Sequence, residues 1–313
     1  MNTLQQTISG DITLYNPGLY DRFLDYIDVK PKSIETYRTA IRQFLKYLQE
    51  NQITHPTRQD IINYRDGLMA DHKATTVQNY LTAAKLFFAW LDQEGLYKDV
   101  AQHVKGVKID KGHKKDYLTQ HQSQRLLQSI ETSSLKGKRD YALLGLLITT
   151  GLRTVEVQRA NVGDMETVGG FTVLFIQGKG RDEKAEYVKI AEPVEDAIRD
   201  YLGSRAGKKR SISGKDPLFA STSNNNRGQR MTTRSISRIV KGTFINAGYN
   251  SDRLTAHSTR HTAATLNLLN GGSIEETQQM LRHSNINTTM TYAHALERVG
   301  NQSENRIAGA LFG

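Results

Sequence analysis

The chain has 313 residues, 42 of them Lys or Arg and 32 Asp or Glu, for a net charge of +10, and it has no cysteine. That length is enough for two ordinary domains, each with a real core. Without thiols there can be no disulfide, no cysteine-ligated zinc and no thiol nucleophile, which fits a reducing cytoplasm, and no run of about eighteen apolar residues is present to span a bilayer.

The first residues lack a basic end followed by an apolar stretch, so they do not read as a secretory signal. Residues 1–15 are expected to be a tail. A helical domain is expected over 16–103, beginning with a short helix near 17–27. Residues 33–50 place Ile34, Tyr37, Ile41, Phe44, Leu45 and Leu48 at steps of three and four, which predicts a helix with Ser33 as N-cap just past Pro31. A second helix fits 57–70, capped by Thr57, and a third fits 75–94 with Val77, Tyr80, Leu81, Ala84, Phe87, Phe88 and Leu91 on its apolar face. Residues 104–117 are polar and lysine-rich with two glycines, the composition of an interdomain linker. A linker of that kind either touches phosphates or is a solvated tether.

Residues 1–110 carry 13 basic and 13 acidic side chains, so residues 111–313, with 29 and 19, hold the whole excess. A one-sided excess suggests a polyanionic partner for that half, although many basic proteins bind none. In the second half, 118–313, the pattern is mixed. Helices fit 119–131, 136–149, 193–202, 232–247, 258–270 and 273–282, the last with a Ser273/Glu276 capping box. Residues 171–177 and 186–190 read as strands joined by the glycine-bearing turn 178–185. Two long polar loops fall at 203–216 and 221–230.

Six side chains stand out: Arg153 in TGLRTVEV, Lys179 in QGKGRDEK, His257 and Arg260 in HSTRH, and His283 and Tyr292 in RHSNINTTMTYAH. Cutting a phosphodiester needs a nucleophile, donors for the charge that gathers on the non-bridging oxygens, and a proton for the leaving oxygen. Arginine suits those oxygens because its planar fork donates two parallel bonds and stays charged. Two arginines and a histidine can take the charge role of a metal. A tyrosine can attack directly and hold the phosphate as an ester, which keeps the bond energy for rejoining.

Taken singly, each residue has a plain explanation. Tyr292 is one of 14 tyrosines and could be a packed ring. Arg153 could be a cap or pair with Glu156, one turn on. Lys179 could be a solvated turn lysine. His257 and Arg260, one helical turn apart, could make a local contact. His261 reads as a packing or hydrogen-bonding ring, and His283 as a charge at a helix C-terminus.

In order and spacing, however, these residues resemble the tyrosine recombinase (phage integrase) family. Its pattern has an arginine after Thr-Gly-Leu with an acidic residue three positions later (Arg153, Glu156), and a lysine in a glycine-flanked hairpin turn (Lys179). It continues with His-x-x-Arg (His257, Arg260, with His261 following) and Leu-Gly-His or Leu-Arg-His (Leu281, Arg282, His283). A tyrosine follows about nine residues on (Tyr292). Thr259 departs from the pattern, which commonly has a leucine there. No additional arm-binding domain is expected, which points to the short two-domain form, closer to chromosome-dimer resolvases and simple element integrases than to large phage enzymes.

The resemblance implies a mainly α fold with a small antiparallel β-sheet. It would be a two-domain DNA clamp, with a helical SAM-like core-binding domain and an α+β catalytic domain. The partner would be double-stranded DNA, cut through a 3′-phosphotyrosyl intermediate with Tyr292 as nucleophile. Arg153, Arg260 and His283 would hold the scissile phosphate. Lys179 would protonate the 5′-oxygen, and His257 would assist proton transfer or hold the phosphate. The phenol's ordinary pKa near 10 is a barrier, which the surrounding positive charge is expected to lower or to offset by favouring the ester. No cofactor and no metal are implied.

The resemblance further implies a tetramer on DNA, linked through a tail from about residue 295 that packs on a neighbouring protomer; a frayed terminus is the plain alternative. The setting would be the cytoplasm, in a bacterial or phage-encoded system with accessory DNA-bending or directionality proteins. Arg227, Arg230, Arg234 and Arg238 are candidate phosphate contacts. Integration or excision of a mobile element and resolution of replicon multimers both fit.

Two rivals share the DNA partner. A type IB topoisomerase would relax supercoils without recombinant product, and a non-catalytic DNA-binding relative would have no use for a positioned tyrosine. A metal-dependent nuclease lacks support, because no compact carboxylate cluster or HExxH pattern occurs in the sequence.

Overall fold

Pro31 begins one of the two twenty-residue helices of the N-terminal half, and Lys30 rather than Ser33 is its N-cap. Proline suits the first helical position, because its missing N–H is an orphan there anyway and its φ is already helical. The computed structural model describes residues 14, 17–109, 116–178, 183–206, 211–300 and 302–312. The chain divides into two compact units, Met1–Lys111 and Gly112–Gly313.

The first unit contains α1 (Pro17–Tyr26), α2 (Pro31–Glu50), α3 (Arg58–Asp71) and α4 (Ala74–Gln93). Thr57 caps α3 as expected, its backbone N–H donating to Asp60 Oδ2 at 2.7 Å. The apolar stripes read from the sequence face inward: Ile41, Phe44, Leu48, Val77, Leu81, Phe87 and Phe88 are buried. Their rings meet edge-on, with Phe44 5.0 Å from Tyr64 and Phe23 5.2 Å from Phe87. Such pairs add modestly to area burial and fix the helix crossings. Residues 104–107 are strapped to these helices. Lys85 Nζ donates to Val104 O, Arg65 Nη1 to Lys105 O at 3.0 Å, and Val107 N to Gln78 Oε1 at 2.9 Å.

The second unit contains α5 (Gln120–Gln128), α6 (Leu135–Thr150), α7 (Thr154–Arg159), β1 (Met165–Val168), β2 (Phe171–Ile176), β3 (Glu186–Lys189) and α8 (Glu192–Ala206). These are followed by α9 (Thr233–Asn246), α10 (Ala256–Leu269), α11 (Ile274–Leu281), α12 (Ile286–Gly300) and α13 (Ser303–Phe312). α6 is buried along most of its length and packs against α8 and α10. Its segment 142–148 is apolar and buried on every side, as suits the middle of a core.

The sheet is antiparallel in the order β1-β2-β3, with Val168 opposite Phe171 and Leu174 opposite Val188. β1 is absent from the sequence reading, as are α7, α12 and α13. α8 runs four residues past its expected end at 202. Tyr201 and Ile198 are buried, and Arg205 Nη1 donates to Pro217 O at 2.6 Å. The predicted capping box of α11 is present, with Ser273 N donating to Glu276 Oε2 at 2.7 Å and Glu276 N to Ser273 Oγ at 3.0 Å. No described helix is long and apolar enough to cross a membrane.

Candidate active site

Gly151 ends α6 in the left-handed conformation at φ 62°. A Cβ there would lie 2.5 Å from Leu281 Cδ2, so any other residue would bring backbone strain and force that leucine methyl to shift. The turn releases the chain so that Arg153 becomes the N-cap of α7. Glu156, one turn on, accepts from Arg153 N at 2.7 Å and from Arg153 Nη1 at 2.9 Å. The sequence alternative of an Arg153–Glu156 pair is therefore present, and it orients the arginine while leaving its side chain about a third exposed.

Glu156 is also held from the other side. Arg282 Nη2 donates to its Oε2 at 2.9 Å, and Arg282 Nη1 donates to Met280 O at 2.8 Å. Arg282 caps the C-terminus of α11 in the left-handed region at φ 54°, where glycine would be unstrained. A buried carboxylate between two guanidinium groups is thus compensated, and net positive charge remains.

Arg260 lies on α10 and is buried. Its Nη1 donates to Gly151 O at 2.6 Å and its Nη2 to Leu281 O. One guanidinium therefore joins the α6–α7 turn to the end of α11. Burial first, then repulsion from Arg153 and Arg282, pulls its pKa down to about 10. It remains a cation at neutral pH, and an anion bound between these arginines would relieve the repulsion. Thr259, where the family pattern has leucine, is fully buried, and its hydroxyl is satisfied by donating to Ala256 O at 2.8 Å.

His257, one turn before Arg260, is exposed. Its ring meets His261 edge-on at 4.8 Å, and His261 lies 5.3 Å from the ring of Tyr292. His261, read from the sequence as a packing ring, thus stands between His257 and the phenol. Tyr292 is 5% exposed and packs with Ala264 and Leu281. Burial raises its pKa, and Arg260 and Arg153 pull it down by less. Of the two expectations for the surrounding charge, a net lowering of the phenol's pKa is therefore corrected for this structure, because desolvation outweighs the two arginines, while the other, that the charge favours the ester, is untouched by it.

His283 follows Arg282. Its backbone N–H donates to Gln278 O at 3.1 Å, and its own carbonyl accepts from Gln278 Nε2 at 2.9 Å. Its ring Nδ1 lies 2.9 Å from Thr289 Oγ1. Burial, then Arg260, Arg153, Arg282 and His257, lowers its pKa to about 4, so it is neutral at physiological pH. The plain reading of His283 as a positive charge at a helix end fails for that reason.

Arg153 and Arg260 thus act on both His283 and Tyr292, and His257 acts on His283 and reaches Tyr292 through His261, while Lys179 lies outside the described residues. Of the other basic candidates, Arg227, Arg234 and Arg238 are exposed. Arg230 is committed internally, with Nη1 donating to Gln158 O at 2.8 Å and Ala160 O at 3.0 Å and Nη2 donating to Asn161 Oδ1. Sequence reasoning missed Arg282 as a partner of Glu156, and missed Thr289. A cavity of about 580 Å³, lined by Arg153, Thr154, Lys241, Thr255 and His257 among others, opens beside the cluster.

The comparisons with known proteins agree with one another. Residues 116–298 match the phage integrase family, and residues 20–95 match the phage integrase N-terminal SAM-like domain. The tyrosine recombinase XerC of Herpetosiphon aurantiacus is 28% identical over 283 residues, covering 88% of this chain and 89% of that protein. Among solved structures, the XerH site-specific recombinase bound to palindromic difH substrate in a post-cleavage complex superposes with a TM-score of 0.70 at 21% identity, covering 90% of this chain and 83% of that one. A lambda integrase tetramer bound to a Holliday junction gives 0.67 at 17% identity, covering 91% and 78%.

Proposed function

This chain belongs to the phage integrase family and is a site-specific tyrosine recombinase; from that premise we propose that Tyr292 is its nucleophile. The observation that carries this assignment is the convergence of Arg153 and Arg260 on the surroundings of both Tyr292 and His283. Guanidinium groups crowded against their own repulsion, beside a phenol, suit a phosphate monoanion that becomes more negative as it reacts.

In this reading the Tyr292 oxygen forms a bond to the scissile phosphorus, and the bond to the 5′-oxygen breaks. Arg153, Arg260 and His283 donate to the non-bridging oxygens. Lys179 gives the leaving oxygen its proton, and His257, with His261 beside it, takes up the phenolic proton. A 3′-phosphotyrosine and a 5′-hydroxyl result. The 5′-hydroxyl of a second duplex reverses the step on the ester and exchanges strands, with no energy source beyond the bond retained in the ester. The cavity beside Arg153 and His257 has room for the DNA backbone that flanks the reacting phosphate.

The assembly is a tetramer on double-stranded DNA in the bacterial cytoplasm. The tail supports this reading: Ile307, Leu311 and Phe312 are all exposed on α13, Phe312 at 89%. Apolar side chains exposed on this helix suit a neighbouring copy. Accessory DNA-bending or directionality proteins belong to the same reading, and the work done is integration or excision of a mobile element or resolution of replicon multimers.

The test is a supercoiled plasmid carrying two copies of the junction sequence that borders the protein's own locus. Recombinant circles are the expected product. Relaxation without recombinants would assign a topoisomerase, and binding without either would remove the activity.

A further inference from the structure

The hydroxyl of Thr289 is fully buried, and among the described residues it has one hydrogen-bond partner, the Nδ1 of His283 at 2.9 Å. That nitrogen has two possible roles. If it carried a proton it would donate to Oγ1, and the threonine O–H would be left buried without an acceptor. If it carries none, it accepts from the threonine and both groups are satisfied. Buried polar groups are paired wherever geometry allows, so the second arrangement wins. A neutral imidazole with a bare Nδ1 carries its proton on Nε2.

We propose that Thr289 is a positioning residue that holds His283 in its neutral Nε2–H tautomer, making it a hydrogen-bond donor to the reacting phosphate and barring it from acting as the base. The functional half of this inference rests on the recombinase reading above. The tautomer itself rests on the buried hydroxyl alone. Geometry makes the role more than local. Thr289 lies one helical turn before Tyr292 on α12, so the bond ties the phosphate donor to the helix that carries the nucleophile. The backbone of His283 is already clamped on both sides by Gln278, which leaves the ring's orientation to Thr289. The chemistry is consistent in both directions of the reaction. A fixed N–H donor serves the pentacoordinate phosphorus whether the phenol or the 5′-hydroxyl attacks, and it exchanges no proton with either. The phenolic proton must then go elsewhere, and His257 with His261 is the remaining histidine pair beside the phenol.

The experiment uses the full chain with ¹⁵N-labelled histidine, His283 being assigned by the resonances lost in His283→Asn. Without DNA at pH 7, wild type should show a protonated Nε2 and a bare Nδ1. Thr289→Val, which keeps the shape and removes the donor, should mix the tautomers, and Thr289→Ser should restore the wild-type pattern. With DNA, Thr289→Val should bind as wild type does but form covalent adduct roughly tenfold more slowly, a smaller loss than the hundredfold or more expected for deleting a whole phosphate donor, and Thr289→Ser should recover the rate. A wild-type ring protonated on Nδ1, or on both nitrogens, would overturn the proposal before any variant is made. So would a Thr289→Val variant whose tautomer or whose rate is unchanged. Because the spectrum is read on free protein, it can fail while strand cleavage stands, and cleavage can fail while it stands.

Discussion

Glu156 and Arg282 lie 126 positions apart and meet as an ion pair, Oε2 to Nη2 at 2.9 Å, with 1% and 9% of their side chains exposed. The same carboxylate holds Arg153. One buried acid therefore spaces two cations, joining the turn before α7 to the end of α11.

Glu156→Ala would leave Arg282 buried and unpaired, with Arg153 no longer oriented. Removing one partner of a buried pair costs about 3–5 kcal/mol. Urea denaturation should show a loss of that order, larger than for Glu156→Gln, which keeps the shape. A DNA phosphate supplies negative charge to the same arginines, so DNA should recover more stability in the variant than in wild type.

Gly151→Ala places a methyl against Leu281 and forces an L-residue to positive φ. The conformational and packing costs together amount to roughly 2–4 kcal/mol. Since Gly151 O also accepts from Arg260, cleavage should fall further than stability alone explains. Measuring the adduct rate at a temperature where the variant is fully folded separates the two effects.

Much of this is legible in the chain. Helices such as 33–50 and 75–94 announce themselves because one apolar face repeats at the helical period and is buried as expected. β1 also leaves a signal, which the strand assignment overlooks. Gly169 and Gly170, both at positive φ, separate METV from FTVLFI by two residues, which marks a hairpin. α7 is too short to show periodicity, and over 286–300 the motif residues draw attention ahead of any helical period. The catalytic residue types are legible from spacing, but their physical state is not. Whether Tyr292 is raised or lowered depends on how much burial competes with Arg260 and Arg153, and the Glu156–Arg282 pair exists only once the chain is folded.

His283 gives up its proton near pH 4 in the folded chain and near 6.5 when unfolded. Between those values the unfolded chain holds more protons, so acidification favours unfolding, and the loss is complete below about pH 4. The groups responsible are burial, Arg260, Arg153, Arg282 and His257. Denaturation midpoints should fall from pH 7 to pH 4.5 more steeply for wild type than for His283→Gln. Equal slopes would mean that the ring is not held neutral.

Tyr292 shifts the opposite way in sign. Its folded pKa is raised above the ordinary 10.0 by burial, so the stability it contributes is present below that value and is lost as pH rises through the folded pKa. The difference in phenolate absorbance between wild type and Tyr292→Phe should appear above pH 10 in the free protein. Titration below 10 would show that the arginines win over desolvation.

The central claim, that Tyr292 attacks a phosphate gathered by Arg153 and Arg260, is tested most directly by mapping the covalent adduct. A suicide duplex nicked beside the cut site, incubated in EDTA, should trap the protein on DNA. Proteolysis and mass spectrometry should then find the nucleotide on the peptide carrying Tyr292, with Tyr292→Phe giving no adduct. An adduct on another residue, or one that persists in Tyr292→Phe, would contradict the account.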